Sequence, residues 1–395
     1  MHLRAPCPYC GNNPVSHSLT RVSTRVELML GAGTEARTGF FERIAARAAK
    51  YTLACLVGVL RALGLVRMSE DAADAFTGRG RVLIEEAKRR GLRAHGLLFL
   101  GIKTDAYRVE ASGKTLYYSG FPRPLFTESG SDKWLDDKAL LKQRLAAAGI
   151  PVPEGGVFRR LEDLRRFYER LGRTLVVKPR IGSRGRHTTT HIRSPEDLAF
   201  AFGLARELCR DVVAEEHLMG SVYRGTVIDG KLVGILRGDP PRVVGDGRNA
   251  IEELVGVKNA TKHPKVAHVV LSDIHDQFLA RTGRTRRTTP AFGEVVDLLE
   301  KIGISYGGFS AEEIEKTHPK MKRILEEAAR VVDDPFIGFD FITSDVAADP
   351  REVRWGIIEA NSLPFIDLHH FPLEGEPINV AAHVWDYVER NIHRY

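Results

Sequence analysis

Two apolar runs in the C-terminal third carry residues suited to holding a cation: Ile337-Gly338-Phe339-Asp340-Phe341 and Ile357-Ile358-Glu359-Ala360-Asn361. Alternation along a strand places Ile337, Phe339 and Phe341 on one face and Asp340 on the other, and it sets Glu359 and Asn361 side by side. If the two strands pair, Asp340, Glu359 and Asn361 converge as three oxygen donors. That is the small, hard ligand set of a magnesium ion shared with phosphate oxygens. One acid at a strand end is usually just solvated; three with matching orientation beside apolar cores are harder to dismiss.

A second constellation is Val176-Val177-Lys178-Pro179 followed by Gly182-Ser183-Arg184-Gly185-Arg186. A lysine at a strand end can neutralise phosphate, and small residues after it let backbone N–H groups approach phosphate oxygens closely. Arg184 and Arg186 add positive charge. Other phosphate and hydrolase signatures are missing. Ser112-Gly113-Lys114-Thr115 ends like a Walker A loop, but Arg108 stands where its first glycine belongs, so the segment reads as a hairpin. There is no GxGxxG after a strand, no HExxH and no G-x-S-x-G. Cys7-Pro8-Tyr9-Cys10 has the spacing of half a zinc knuckle or a redox pair. No second CxxC follows and His17 is a poor third ligand, so two reduced thiols are the expectation.

The elements that must position these residues alternate throughout. Residues 1–75 are helix-prone, over 40–50 and 51–65. Residues 76–131 read as an α/β unit, with a helix over 80–90, strands over 94–100 and 115–119, and a turn at Gly113-Lys114. A helix over 132–148 ends at Gly149. Strands over 174–178, 211–215, 222–228, 232–236, 337–343 and 353–358 alternate with helices over 195–208 and 317–332. Asp229-Gly230 turns one hairpin, and Ser194-Pro195-Glu196-Asp197 looks like a helix cap. A mixed α+β enzyme of several subdomains is the expected class for 395 residues.

Composition is compatible with that. Hydrophobic residues make up 43% and charged residues 28%, which rules out a disordered chain. A net charge of +7 favours anionic partners. Four cysteines are too few for a disulfide framework, and the apolar stretch over 51–66 is short for a membrane span and contains Arg61. With no signal-peptide run at the start, a cytoplasmic location with no membrane partner is expected. The basic run Arg281–Arg287 lacks interleaved aromatic residues, so nucleic acid is not an expected partner.

Taken in order, these segments resemble the ATP-grasp ligases, and most of all the ATP-grasp domain of cyanophycin synthetases. Asp137-Lys138 through Lys142, with Gly149-Ile150-Pro151-Val152-Pro153, is similar to the family's opening helix and its exit. Lys178 with the loop 182–186 resembles the central strand and phosphate loop, and Ala214-Glu215-Glu216-His217-Leu218 resembles the hinge. Arg237, Val243-Val244-Gly245-Asp246-Gly247 and Ile251-Glu252-Glu253-Leu254 resemble the cyanophycin-type block. Asp340 and Glu359-Ala360-Asn361, with His369 after them, resemble the metal strands and closing loop.

The resemblance spans roughly residues 132–390. It implies two α+β subdomains clamping ATP over 132–395, with the phosphate-loop subdomain at about 150–216. A pre-ATP-grasp-like domain at 76–131 and a helical segment at 1–75 would precede them. It implies that Lys138, Lys178 and Gly182, Ser183, Arg184 and Gly185 meet the phosphates, while Glu215 and the Leu218 backbone meet adenine. Asp340, Glu359 and Asn361 would hold one or two magnesium ions, with manganese as a substitute. Arg237, Arg224 and His369 would serve the chemistry, Arg237 at the developing acyl phosphate. The implied reaction activates a small-molecule carboxylate with ATP and couples it to an amine, as of an amino acid or small peptide; a homodimer is common among such enzymes. A kinase acting on a stable acceptor, or a non-catalytic nucleotide-binding protein, stays open as an alternative. Two departures stand out: Val222 replaces a ribose-binding acid, and Gly303 replaces a family asparagine. The chain also has no room for the second, Mur-ligase-like half of cyanophycin synthetase, so cyanophycin synthesis is not expected.

Overall fold

The computed structural model describes residues 7–12, 14–31, 52, 54–124, 131, 134–183 and 185–395; the expected helix over 40–50 and the site candidate Arg184 lie outside them. Of the helix expected over 51–65, residues 54–62 are helical. An additional helix, His17–Gly31, precedes it.

The first sheet comprises β1 (Val66–Ser69), β2 (Arg93–Phe99), β3 (Ile102–Ala111) and β4 (Lys114–Ser119), antiparallel in that order. β3 was not expected, because its solvent face is populated by polar residues while Tyr107, Val109 and Ala111 alone are driven inward. The Walker-like segment is indeed a turn between β3 and β4. Ser112 (φ 49) and Gly113 (φ 73) have the paired positive angles of a type I′ hairpin. Helix Gly78–Arg89 and helix Val380–Arg390 complete this layer. Val384, Trp385 and Val388 share one core with Leu83, Tyr107 and Val109.

The second sheet contains β5 (Gly155–Phe158), β6 (Leu175–Pro179), β7 (Thr189–Ile192) and β8 (Val212–Glu216), ordered β5-β8-β6-β7. Leu175, Val177, Val212 and Ala214 face a core completed by helices Leu161–Leu171 and Pro195–Arg206. Ser194 caps the latter helix, its hydroxyl accepting from the Asp197 N–H at 3.1 Å. By alternation Val176, Lys178 and Glu215 turn to the opposite face, towards a cleft.

The third sheet is ordered β13-β10-β9-β14-β15, all antiparallel, from β9 (Ser221–Ile228), β10 (Lys231–Asp239), β13 (Phe309–Glu312), β14 (Phe336–Thr343) and β15 (Trp355–Asn361). Helices Lys138–Ala147 and Pro319–Val332 pack on it through Leu141, Leu145, Leu325 and Ala328 against Phe339, Phe341 and Ile357. A two-stranded ribbon, β11 (Arg242–Val244) with β12 (Val295–Asp297), packs with helices Ile251–Thr261 and Asp273–Arg281 into a smaller core. Trp134 and Trp355 lie in the core of the third sheet and Trp385 in that of the first.

Candidate active site

A cavity of about 600 Å³ opens between the second and third sheets. That volume suits a nucleotide-sized ligand. Lys178, Ser183, Gly185, Glu215, Leu218, Asp340 and Glu359 line it. Gly182 does not line it; it sits against Thr24 of the first helix, where an added Cβ would meet Thr24 Cγ2 at 3.1 Å.

The charge arrangement is built strand by strand. β14 pairs with β15 so that Asp340 faces Glu359 and Gly338 faces Asn361. The expected convergence of Asp340, Glu359 and Asn361 is therefore present, with Asn361 Nδ2 donating to Asp340 Oδ2 at 3.2 Å. On the other flank β9 sets Arg224 opposite Asp340. Its guanidinium donates to both carboxylate oxygens at 2.7 Å, the strong fork geometry of arginine and carboxylate. Burial raises the Asp340 carboxyl above the usual carboxylate range, and hydrogen bonding to Glu359 adds to that. Burial acts on Glu359 as well, but Lys138 and Lys178 outweigh it and hold Glu359 down to about 2.

Helix Lys138–Ala147 delivers two cations from one face. Asp137 caps it, accepting from the Ala139 N–H at 2.9 Å, and is itself gripped by Arg180 at 2.7 Å. Lys138 then lies 3.4 Å from Glu359, and Lys142, one turn on, reaches Glu215. Lys178 donates to the other Glu215 oxygen at 2.5 Å. Burial pulls the Lys142 ammonium down to about 8 despite Glu215. Lys142 is a site residue that no motif marks; its one signal in the sequence is the i, i+4 spacing from Lys138. Four cations (Lys138, Lys142, Lys178, Arg224) thus meet three carboxylates (Glu215, Asp340, Glu359) in one ion-pair cluster.

Two expected chemical residues are placed elsewhere. Arg237 pairs across β10 with Tyr223 and Ala311, on the sheet face opposite Arg224 and Asp340. Its guanidinium is taken by Asp239 at 2.8 Å and lies 3.7 Å from Glu313. It reaches the cavity only through Asp239, whose other partner, Arg242, is a lining residue. His369 is fully buried, with Nδ1 2.6 Å from Glu312 Oε2 and Nε2 2.8 Å from Thr226 Oγ1. It packs on the same sheet face as Arg224, through Thr226 two residues along β9, but does not line the cavity. The far wall holds polar residues the sequence reading did not single out: Asp297, Glu300 and Lys301, with His191 and His217 beside them. Val222 lines the cavity as an apolar residue. Arginines of the basic run are spent on Glu300, Glu294 and Asp276.

Hard oxygen donors at Asp340 and Glu359, backed by the Asn361 amide, fit a divalent cation of the magnesium type. Two carboxyl groups hydrogen-bonded to each other are a crowding that such a cation relieves.

No family model matches the chain. It is 33% identical over 324 residues to a cyanophycin synthetase of Trichormus variabilis, covering 78% of this chain and 34% of that one. A glutathione biosynthesis bifunctional protein of Clostridium perfringens is 30% identical over 262 residues, 64% of this chain and 34% of that one. The crystal structure of a bifunctional glutathione synthetase from Pasteurella multocida superposes with a TM-score of 0.52 at 25% identity, covering 78% of this chain and 44% of that one. The chain belongs to the ATP-grasp superfamily. Among these relatives it stands near the cyanophycin synthetases, and it spans about a third of the length of the curated relatives it matches. Its mixed α+β sheets are those of an ATP-grasp fold.

Proposed function

We propose that the chain is an ATP-dependent carboxylate–amine ligase acting on an amino acid or small peptide. The observation that carries this reading is the cluster of four cations and three carboxylates in which Lys178, Glu215, Asp340 and Glu359 line the cavity and Lys138, Lys142 and Arg224 are ion-paired to those carboxylates. Lys138, Lys142 and Lys178 would take the ATP phosphates, displacing their present carboxylate partners. Ser183 and Gly185 would close on them from the loop, and Leu218 would meet the base. Asp340, Glu359 and Asn361 would hold magnesium, or manganese in its place. The ion would neutralise phosphate oxygens during phosphoryl transfer.

In the first step a substrate carboxylate oxygen bonds to the γ-phosphorus and ADP leaves. In the second an amine nitrogen attacks the acyl carbon, inorganic phosphate leaves and the amine loses a proton. Arg224 would supply fixed positive charge beside both steps, the electrostatic task first assigned by resemblance to Arg237. The domain division at 75 and 131, and a cytoplasmic location, belong to the same proposal.

The test is ATP turnover with magnesium across pools of amino acids and short acidic peptides, following free phosphate and product mass together. Phosphate release that needs both a carboxylate and an amine, and is lost in Asp340→Asn, is the expected result. Phosphate retained on a product would establish a kinase instead. Nucleotide binding without stimulated turnover by any pool would sink the ligase reading.

A further inference from the structure

Beside the phosphate-facing loop, Cys7, Cys10, His17 and His187 bring their ligand atoms within 4.8 Å of one another. Cys10 Sγ lies 3.4 Å from His17 Nε2 and 3.5 Å from His187 Nε2, and Cys7 Sγ lies 3.5 Å from the same His187 nitrogen. With Zn–S near 2.3 Å and Zn–N near 2.0–2.1 Å, a tetrahedral ion sets a sulfur-to-nitrogen edge of ~3.5–3.6 Å. The observed contacts have that length. Hydrogen bonding alone explains them poorly, because His187 Nε2 has one acceptor site and two sulfurs approach it equally.

The imidazoles are also turned the right way. His187 Nδ1 lies 2.8 Å from the Leu204 carbonyl oxygen, and His17 Nδ1 lies 3.1 Å from Glu207 Oε2. Protons on Nδ1 leave both Nε2 lone pairs facing the sulfurs. A carbonyl or carboxylate behind each ring is the outer shell that metal-ligating histidines carry. Cys7 and Cys10 are joined by a tight turn, with the Cys10 N–H donating to the Cys7 carbonyl at 3.1 Å, and both thiols are free.

We propose that Cys7, Cys10, His17 and His187 bind one zinc ion in a closed four-ligand site that pins the N-terminal segment to the phosphate-facing loop. Binding converts both thiols to thiolates and releases two protons. With four protein ligands no position stays open for a reactant, so the ion is structural. Its placement gives it leverage on the cavity. The Tyr9 carbonyl accepts from the His187 N–H at 3.3 Å and from Lys301 Nζ at 3.2 Å, and the Asn12 N–H donates to Tyr306 Oη at 3.2 Å. Lys301 and Tyr306 line one wall of the cavity, Ser183 and Gly185 another. The knuckle therefore ties the loop to the wall it faces.

The inference can be tested without turnover, so its failure is separate from that of the ligase reading. The untagged full chain, purified without chelator, should contain about one zinc per chain by elemental analysis. Replacement by cobalt should give thiolate-to-metal charge-transfer and tetrahedral d–d absorption. Cys7→Ser and His187→Ala should lose both signals, while Cys55→Ser keeps them. Glu207→Gln leaves every ligand in place and should weaken zinc binding about tenfold or more, read by competition with a chromophoric chelator. It covers the case in which a ligand variant does not fold. Absence of zinc after dialysis against zinc in reducing buffer, with no cobalt spectrum, would overturn the site. Full zinc content in both ligand variants would overturn it too.

Discussion

Arg224 grips both oxygens of Asp340, and a lysine in its place could reach only one of them. Arg224→Lys should therefore lower phosphate release on the order of 10²-fold, since preorganised charge at the reacting group is lost. Nucleotide affinity should change much less; a matching loss in both would assign Arg224 to binding instead. A second residue-scale prediction concerns His191 and His217, whose rings meet edge to face at 4.3 Å in the cavity wall. Burial, then His217 and Arg193, push His191 down to about 3; burial and Arg193 push His217 to about 4. In the unfolded chain both titrate near 6.5, so below that pH the unfolded state binds protons that the folded state refuses. Their contribution is neutral above pH 6.5 and becomes destabilising as pH falls towards 4. Denaturant melts of a His191→Gln, His217→Gln double variant should show a flatter dependence across that window. An unchanged slope would trace the acid sensitivity to other groups.

Helix Lys138–Ala147 ties the stability of one element to the aim of two lysines. Asp137→Ala removes its cap at about 1–2 kcal/mol and leaves Arg180 with Asp211 as its remaining carboxylate partner, so the variant should melt earlier and bind ATP more weakly, by denaturation and nucleotide titration. The loop at Gly303 makes a further prediction. Its φ of 98 and ψ of 168 lie where only glycine is comfortable, so Gly303→Asn should cost about 1–3 kcal/mol in a denaturant melt. What could be read ahead of the structure follows the range of the signal. Period-two alternation set Asp340, Glu359 and Asn361 on one face, and cap chemistry placed Ser194, because both rules act within a few residues. β3 escaped because its outward face is polar. Arg237 was matched by motif, but a motif does not say which sheet face a side chain takes. His187 is separated from Cys10 by 177 residues, and nothing local connects them.

Across the whole molecule, the cavity joins sheets with separate cores, so a ligand that bridges them acts as a cross-strut. Magnesium nucleotide at 100 times its Kd should raise unfolding stability by about 2.7 kcal/mol and protect residues 150–216 from proteolysis; equal cleavage with and without nucleotide would argue against a bridging site. Among the described residues no helix is long and apolar enough to cross a membrane. The helix Val380–Arg390 matters at this scale for a different reason. Trp385 Nε1 donates to the Leu83 carbonyl at 2.9 Å across 302 residues of chain, and Val384 and Val388 fill the same core. On the ribosome, the first sheet emerges long before that helix exists. At roughly 5–20 residues per second its inner face waits on the order of tens of seconds for its cover. During that interval Leu83, Tyr107 and Val109 are unshielded, which makes the nascent N-terminal half a client for holding chaperones and makes synthesis speed a determinant of yield.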